Sequence, residues 1–433
     1  MTVRGILGRI RRALLALARR AASPVTQLLG TGDTIAVIAA ELSAAMRRRL
    51  QRALRRDTRV RIGIDVRPFF EPLTGVGWYL HDLMQELVKD ERLEIVCFGD
   101  PRLLDQGPRL HVALPAGRPL RVFDLRGRTV SRLTSVLTAA AFPILARLEG
   151  CEIFFGGNYF LPRPLAAVAE KRVVTVHDLT FRRMPEMLQA ETLENLDRQM
   201  TAEIFRTDAV ICVSESTRRD LLELYHVDPA RAVTIHSGIP PVVPPGAGVP
   251  GLPGKYLLFV STIEPRKNLT TLIDAFELLR ERGSYDGDLV IVGKVGWKSE
   301  ATMERIAHSR WRRAIHHLDY LRREQLATVY ANAGIFVLPS HYEGFGFPLV
   351  EAMSYGVPSI AARTSSLPEV GGDAALYFDP KRPRELAEAI ESIEHDPGLR
   401  QTLVERGRQR IGLFTWSGAA KRTADLLIRV ARS

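Results

Sequence analysis

Two acidic residues in the second half of the sequence have the spacing of a site for a phosphorylated, hydroxyl-rich ligand. Glu343 lies in a loop with Gly344 and Gly346, and Glu351 follows eight positions later in the first turns of a predicted helix. A glycine-containing loop that leads into a helix presents free backbone N–H groups and a positive dipole end, which favour a phosphate. Carboxylates beside that anion site can accept hydrogen bonds from hydroxyl groups. Taken singly, Glu343 is typical of a solvated loop and Glu351 of a helix start, so their joint placement carries the interpretation.

Two basic residues follow a predicted strand earlier in the same half. Arg266 and Lys267 lie in a short loop after the strand Tyr256–Ser261, and Asn268 is the predicted N-cap of the next helix. Two fixed cations at the carboxyl end of a strand can hold a diphosphate and stabilise the negative charge that builds on it as a bond breaks. The alternative is a pair of solvated basic residues before a helix.

The first half of the sequence offers two smaller features. Gly75 and Gly77 lie in a turn between the first strand and its helix, where a ligand can approach the backbone closely. His177 and Asp178 directly follow the predicted strand Val173–Val176, so both side chains are placed at the end of that strand. The alternatives are an ordinary turn and a structural histidine.

Apolar runs alternate with helical segments along both halves of the chain. The predicted strands are Ile62–Val66, Val173–Val176, Ala209–Val213, Tyr256–Ser261, Leu289–Val292, Ile335–Leu338 and Ser359–Ala361. Helices are predicted near residues 78–89, 269–282, 322–332, 348–355 and 416–430. Such short apolar runs are typical of buried parallel strands.

A stretch rich in Pro and Gly, from Ile239 to Gly254, separates the two arrays and indicates an interdomain linker. The pattern predicts an α/β fold with two doubly wound, Rossmann-like domains that face each other across a cleft. The predicted divisions are a basic helical extension (1–60), an N-terminal domain (61–245), a C-terminal domain (255–412) and a C-terminal helix (413–433) packed back on the N-terminal domain.

These motifs together resemble the retaining glycosyltransferases of family 4, which have the two-Rossmann GT-B fold. The paired glutamates in EGFGFPLVE match the E-x7-E motif of that family, and EPRKN matches its donor-phosphate loop. The segments TGVGWY, VTVHDL and VSESTRRDL in the first half are also similar. The resemblance runs from about residue 61 to the C-terminus and leaves residues 1–60 outside it. It implies that the N-terminal domain binds the acceptor and the C-terminal domain binds the nucleotide-sugar donor.

The resemblance also implies how the donor is bound. Arg266 and Lys267 would grip its diphosphate and stabilise the departing nucleoside diphosphate, and Glu351 would bind its ribose. Gly75 and Gly77 would lie near the phosphates. Enzymes of this kind need no divalent metal, because the cations and a helix dipole neutralise the leaving group. Neither a metal nor another cofactor is therefore expected.

The same resemblance implies the surroundings of the transferred sugar. Glu343, with the backbone of Gly344, Phe345 and Gly346, would hold its hydroxyl groups, and His177 would contact it near the reaction centre. The implied catalytic residues are His177, Arg266, Lys267 and Glu343. Transfer is expected by front-face attack with the leaving phosphate as base, because in this architecture the glutamates serve binding.

The segments RIGIDVRPF, TGVGWYL and LVIVGKVGW are similar to bacterial mannosyltransferases of O-antigen and exopolysaccharide assembly. That similarity implies transfer of a hexose, with GDP-mannose as donor and a glycan or a polyprenyl-diphosphate-linked sugar as acceptor. Rhamnose, fucose, glucose and galactose donors stay open, as does a nucleotide-sugar epimerase of the same architecture. A non-enzymatic alternative is a membrane- or nucleic-acid-binding protein with a degenerate enzyme body, against which the intact glutamate pair and EPRKN argue.

The positive charge of the chain is concentrated in residues 1–60. The net charge is +11, and this segment contains 13 Arg and three acidic residues, so the remainder is nearly neutral and does not favour nucleic acid. Two amphipathic helices are predicted there, the second with Ile38, Leu42, Met46, Leu50 and Leu54 on one face. An apolar stripe beside an Arg-rich face is typical of a helix on an anionic membrane surface. Packing of the stripes on the protein is the alternative, and periodicity cannot choose between them.

The sequence contains no uninterrupted apolar segment of the roughly 18 residues needed to span a bilayer, and a signal peptide fits it poorly. The Arg-rich start resembles a mitochondrial transit peptide, which ranks lower because Arg is frequent throughout the chain. Cys97, Cys151 and Cys212 form neither a metal-ligand pattern nor a disulfide framework and suit a reducing compartment. The expected location is the cytoplasm, with peripheral attachment to the cytoplasmic face of the inner membrane.

Overall fold

A computed structural model describes residues 32–55, 57–70, 73, 75–99, 120–121, 132–188, 190–246 and 248–433. The first predicted helix of the extension and Thr74 of the predicted turn lie outside these residues. Within the described part of the chain, no helix is both long and apolar enough to cross a membrane.

The first sheet is parallel and has the strand order β3-β2-β1-β4-β5-β6-β7 among the described residues. Its strands are β1 (Val60–Asp65), β2 (Leu93–Phe98), β3 (Leu120–Arg121), β4 (Ile153–Gly156), β5 (Arg172–Val176), β6 (Ala209–Cys212) and β7 (Ala232–Thr234). All residues of β1 are buried, which is typical of a strand that helices cover on both faces.

Helices connect these strands. They are α1 (Gly32–Arg55), which precedes the sheet, α2 (Gly75–Leu87), α3 (Arg132–Glu149), α4 (Arg163–Ala166), α5 (Thr180–Arg183), α6 (Ala190–Ile204) and α7 (Glu215–Tyr225). Ser214 caps α7, because its side chain accepts a hydrogen bond from the backbone N–H of Thr217.

The second sheet is also parallel, with the order β10-β9-β8-β11-β12-β13. Its strands are β8 (Tyr256–Val260), β9 (Asp288–Val292), β10 (Ile315–Leu318), β11 (Ile335–Leu338), β12 (Ser359–Ala362) and β13 (Ala375–Phe378). The helices are α8 (Leu269–Arg282), α9 (Glu300–Ala307), α10 (Arg323–Ala331), α11 (Phe347–Ser354), α12 (Leu367–Gly371), α13 (Pro383–His395), α14 (Pro397–Ile411) and α15 (Trp416–Arg432). In each sheet the chain adds strands first on one side of the initial strand (β1 or β8) and then on the other side. This strand order is that of a doubly wound sheet, so the predicted pair of doubly wound sheets is confirmed.

Contacts between residues divide the chain into two compact units. One contains the described residues up to Thr175 with Glu203–Val210 and Ala420–Ser433, and the other contains Val176–Ala202 and Ile211–Ala419. The predicted domains divide the chain differently, and their boundaries stay predictions. In the second unit, buried side chains of β8 and β11 such as Phe259 and Phe336 form a continuous core with the helices that flank the sheet.

Helix α1 is part of the first unit and packs against α3. The residues that α1 buries are Thr34, Ile38, Ala39, Leu42 and Ala45. Two residues of the predicted stripe, Ile38 and Leu42, therefore face protein, whereas Leu54 at its end is 75% exposed. The first half of the stripe therefore packs on α3, and membrane association of the extension stays a prediction.

Arginines from α1, β1 and β3 surround the buried carboxylate at the end of α3. Glu149 is 1% exposed. Its Oε1 lies 2.5 Å from Nη2 of Arg48 and 2.6 Å from Nε of Arg121, and its Oε2 lies 2.6 Å from Nη2 of Arg61. A buried carboxylate requires such partners, so Arg48 attaches the extension to the sheet.

Candidate functional site

The candidate site lies at the switch point of the second sheet. Strands β8 and β11 are neighbours there, although 74 residues of chain separate the end of β8 from the start of β11. The loop after β8 carries Arg266 and Lys267, and the loop after β11 carries Glu343. In parallel sheets ligands bind outside the carboxyl ends of strands at this point, and the fold brings both predicted loops together.

A buried ion-pair cluster joins the two loops. Lys267 Nζ donates to Glu343 Oε1 at 2.6 Å, and Arg266 Nη1 lies 3.3 Å from Glu343 Oε2. All three side chains are largely buried. Burial opposes ionisation of Glu343, but Lys267 and Arg266 lower its pKa below the ordinary value overall. Burial also lowers the pKa of Lys267, against the attraction of Glu343.

Two polar residues that the sequence reasoning missed complete this cluster. Glu264 is 3% exposed and its Oε1 accepts hydrogen bonds from Nε and Nη2 of Arg266 at 3.1 and 2.7 Å. Ser340 Oγ donates to Glu343 Oε1 at 2.7 Å. Glu264 thus fixes the guanidinium, leaving Nη1 directed at Glu343 and at the carbonyl of Tyr342. The acidic start of EPRKN, two residues before Arg266, was the available signal.

The loop after β12 braces Glu343 from the other side. The backbone N–H of Glu343 donates to Ser365 Oγ at 2.8 Å, and Ser366 Oγ donates to the Glu343 carbonyl at 2.9 Å. Ser365 has a φ of 44°, a left-handed conformation that is unfavourable for a residue with a side chain. Hydrogen bonds therefore hold Glu343 through its backbone as well as through its side chain.

Gly344 lies against the turn that carries His177. A Cβ atom on Gly344 would lie 1.8 Å from the carbonyl oxygen of His177 and 3.0 Å from Cβ of Asp178. Thr217 Oγ1 lies 3.3 Å from the Gly344 carbonyl and 3.4 Å from the His177 carbonyl. The structure therefore places the His177 backbone beside the Glu343 loop, and only glycine fits between them.

The same loop ends at the start of α11, as the sequence predicts. Gly346 precedes the helix with a φ of 95°, and Pro348 occupies its first turn. Phe345 is 3% exposed and packs edge-on against Phe414, with ring centroids 5.4 Å apart. The N-terminus of α11 therefore presents free backbone N–H groups and the positive end of the helix dipole, which favour an anion.

Glu351 lies within α11 and is separate from the ion-pair cluster. Its Oε2 accepts a hydrogen bond from the hydroxyl of Tyr330 at 2.9 Å. Burial raises the pKa of Glu351 above its ordinary value, and the Tyr330 hydrogen bond opposes that effect. Tyr330 itself stacks on Tyr355, with ring centroids 5.5 Å apart and planes 4° apart. The predicted role of Glu351 in binding the donor ribose stays a prediction, and the sequence did not point to the tyrosine that bonds to it.

Asn268 occupies the N-cap position of α8, as the sequence predicts, but its side chain does not cap the helix. It has a φ of 54° and its side chain makes no capping bond to α8. Its Nδ2 instead donates to the carbonyls of Pro339 at 3.0 Å and Pro380 at 2.9 Å. The side-chain capping bond is missing because Oδ1 of Asn268 accepts from the hydroxyl of Thr271 at 2.9 Å rather than from a backbone N–H. Through its Nδ2 the residue ties three loops together.

Gly75 and Gly77 lie within the first turn of α2 and not in a turn before it, so their predicted placement was wrong: the helix begins at Gly75. A Cβ atom on Gly77 would lie 2.6 Å from Leu73 Cδ2, whereas a Cβ on Gly75 would have no neighbour within 4 Å. The single close contact at Gly77 is with the mobile end of a leucine side chain, so packing requires glycine at neither position. Their predicted proximity to phosphates stays a prediction.

Two family models match the chain over residues that contain these loops. The model described as Glycosyltransferase Family 4 matches residues 73–242, and the model described as Glycosyl transferases group 1 matches residues 250–410. Among the described residues, no group of three His, Cys, Asp or Glu side chains is placed to hold a metal ion.

Known proteins are similar to this chain in sequence or in fold over most of its length. The O-antigen chain mannosyltransferase B of Escherichia coli is 29% identical over 83% of this chain and 97% of its own length. Sucrose-phosphate synthase from Thermosynechococcus elongatus covers 87% of this chain and 100% of its own, with a TM-score of 0.64 and 21% identity. Anabaena HepE in complex with UDP-glucose covers 85% and 99%, with a TM-score of 0.61 and 17% identity.

The two doubly wound sheets show the GT-B fold, and the family models and the E. coli relative show that the chain is a glycosyltransferase. The chain belongs to glycosyltransferase family 4, whose model and the group 1 model together match well over half of its length.

Proposed function

We propose that this enzyme transfers a mannosyl residue from GDP-mannose, with retention of configuration, to a growing cell-surface polysaccharide. The observation that carries this proposal is the similarity to the E. coli O-antigen chain mannosyltransferase B, which extends over 97% of that relative. The acceptor we propose is a glycan or a polyprenyl-diphosphate-linked sugar. The alternative is another nucleoside-diphosphate sugar as donor, and the thermal-shift panel described below tests it.

Arg266 and Lys267 suit a diphosphate leaving group. Both cations are fixed in a partly dehydrated loop, where interactions between charges are stronger than in water. Negative charge grows on the diphosphate as the sugar leaves, and preorganised cations stabilise that charge without reorganising. Before donor binds, Glu343 supplies the counter-charge, which keeps the buried cations compensated.

Glu343 is proposed to bind hydroxyls of the transferred sugar rather than to attack it. A double displacement needs a second carboxyl about 5 Å from the first across the reacting carbon. The Glu343 oxygens are already engaged by Lys267, Ser340 and Arg266, an environment that weakens a nucleophile. We therefore propose front-face attack by the acceptor, with the departing phosphate as base, and no divalent metal or cofactor.

We further propose that the enzyme acts in the cytoplasm at the surface of the inner membrane. Since α1 buries Ile38 and Leu42 of its apolar stripe, attachment would depend mainly on residues 1–31 and on exposed arginines of α1 such as Arg47 and Arg55. Flotation with anionic vesicles tests this: deletion of residues 1–31 should release the protein, and a truncated chain that still floats would place binding elsewhere.

A thermal-shift panel with GDP, UDP, dTDP and their sugars tests the donor. A ligand at about 100 times its dissociation constant adds about 2.7 kcal/mol of apparent stability. A shift specific to GDP and GDP-mannose is expected. Preference for UDP or dTDP would overturn the mannose donor, and the absence of any shift would count against the proposed site.

Substitution of Lys267 tests the site itself. Lys267→Ala should lower kcat about 100-fold or more, since loss of one preorganised stabilising group costs about that much. Lys421→Ala, at an exposed position of α15, is the matched control and should retain activity. Equal turnover of both variants would remove Lys267 from the reaction.

A further inference from the structure

We propose that Tyr342 is a positioning residue for transfer, and that its hydroxyl holds the His177 turn at a fixed distance from Glu343. The inference rests on the proposed function, because it concerns the same site. Tyr342 differs from the residues of the motifs because its side chain acts on groups of the protein and not on the substrate.

The Tyr342 hydroxyl connects two segments that precede and follow the predicted linker. It donates a hydrogen bond to Asp220 Oδ2 at 2.6 Å and accepts one from the backbone N–H of Leu179 at 3.3 Å. Tyr342 is 7% exposed and Asp220 is 8% exposed. Burial and the charge of Asp220 hold the pKa of Tyr342 well above its ordinary value, so the phenol keeps the proton that it donates.

Each end of this bridge is one or two residues from a predicted catalytic group. Tyr342 directly precedes Glu343, and Leu179 follows His177 by two positions. The two backbones touch at Gly344, which has no room for a Cβ atom. A hydrogen bond between Tyr342 and Leu179 therefore sets how closely the His177 turn and the Glu343 loop approach.

Asp220 is itself held by a second residue, so the bridge is rigid. Arg183 Nε donates to Asp220 Oδ1 at 2.8 Å, on the oxygen that Tyr342 does not use. Asp220 belongs to α7, and Thr217 of the same helix lies near the carbonyls of both His177 and Gly344. Helix α7 is thus anchored to both sides of the contact, and Tyr342 supplies its shortest hydrogen bond to the Glu343 loop.

Burial of a tyrosine does not by itself require such a bridge. The Tyr285 hydroxyl is buried in the same unit without a hydrogen-bond partner among the described residues. Tyr342 and Tyr285 therefore make a matched pair: both are buried phenols, and only the first joins segments that carry predicted catalytic groups.

Kinetics of Tyr342→Phe with the nucleotide sugar that the wild type uses test the proposal. We expect kcat to fall about 10-fold or more, the KM for donor to change less than about twofold and the donor-induced thermal shift to persist. Tyr285→Phe should match the wild type. Asp220→Asn, whose amide oxygen can still accept from Tyr342, should lose less activity than Asp220→Ala, and the effects of Tyr342→Phe and Asp220→Ala should not add.

The outcomes separate this inference from the proposed function. Wild-type kcat in Tyr342→Phe, or a loss that appears only in thermal stability and equally in Tyr285→Phe, would overturn the positioning role. Additive effects of the Tyr342 and Asp220 substitutions would overturn it as well. A wild-type enzyme that transfers no sugar from any donor would refute the proposed function instead.

Discussion

Because Glu351 is predicted to bind the ribose of the donor, replacing Tyr330 by Phe should weaken donor recognition without disturbing the ion-pair cluster. The substitution removes a 2.9 Å hydrogen bond to the carboxylate and keeps the ring that stacks on Tyr355. A hydrogen bond to a charged group contributes about 1.5–3 kcal/mol, and about 1.4 kcal/mol corresponds to a factor of ten. We therefore expect kcat/KM for the donor to fall about 10-fold or more at neutral pH, mainly through KM.

The pH dependence gives that prediction a sign. Burial already raises the pKa of Glu351, and the Tyr330 bond works against that rise by favouring the carboxylate. Without the bond the pKa rises further, so the acid limb of kcat/KM should move to higher pH. A folded-state pKa above the unfolded value favours the protonated form, so stability declines as pH rises between the two values. The stability deficit of Tyr330→Phe should accordingly be larger at pH 8 than at pH 5.

The assay compares Tyr330→Phe with Tyr256→Phe over a pH series. Tyr256 is a buried tyrosine whose hydroxyl donates to the Val329 carbonyl at 2.6 Å, so its removal measures the loss of a phenol bond that involves no carboxylate. An acid limb at the same pH in both variants, with an unchanged KM for donor, would refute the role of Tyr330 in setting Glu351.

Three further outcomes are expected. Gly344→Ala should abolish activity and lower the thermal midpoint, because its Cβ would lie 1.8 Å from the His177 carbonyl; Gly254→Ala, with no neighbour within 4 Å, is the control in both assays. Glu149→Ala should destabilise the protein by about 3–5 kcal/mol in denaturant titrations, as expected when a buried charge cluster loses one partner, whereas the more exposed Glu152→Ala should cost far less. Transfer should continue in excess EDTA without stimulation by added Mg²⁺, and restoration of lost activity by Mg²⁺ would contradict the metal-independent proposal.

Local sequence patterns predict the elements of this fold well because parallel strands and helices impose their own periodicities. Helix α8 and strand β11 have the bounds that the sequence predicts. The ligand loops could be located as well, since chain order decides which residues follow a strand. Arg266 and Glu343 thus meet at the switch point as expected.

The contacts that complete the site could not be read in the same way. Glu264 and Tyr342 act through partners that only the folded chain supplies, and the Tyr342–Asp220 bond joins residues 122 positions apart. Asn268 occupies the helix N-cap as the local rule predicts, yet its Oδ1 accepts from the Thr271 hydroxyl instead of a backbone N–H, and its Nδ2 donates to two distant carbonyls. An amphipathic stripe likewise shows that a face is buried but not what buries it, so the partner of α1 had to come from the structure.

Because α1 packs on the first unit, the folded part of this protein extends beyond the segment that the family models match. The family models begin at residue 73, while Arg48 from the preceding helix lies 2.5 Å from Glu149. A protein expressed from residue 61 onward would bare the surface of α3 that α1 covers and leave Glu149 with one guanidinium fewer. Chimeras and truncations should therefore be cut before Gly32, and a poorly soluble product of a later cut would reflect an opened core rather than a lost membrane anchor.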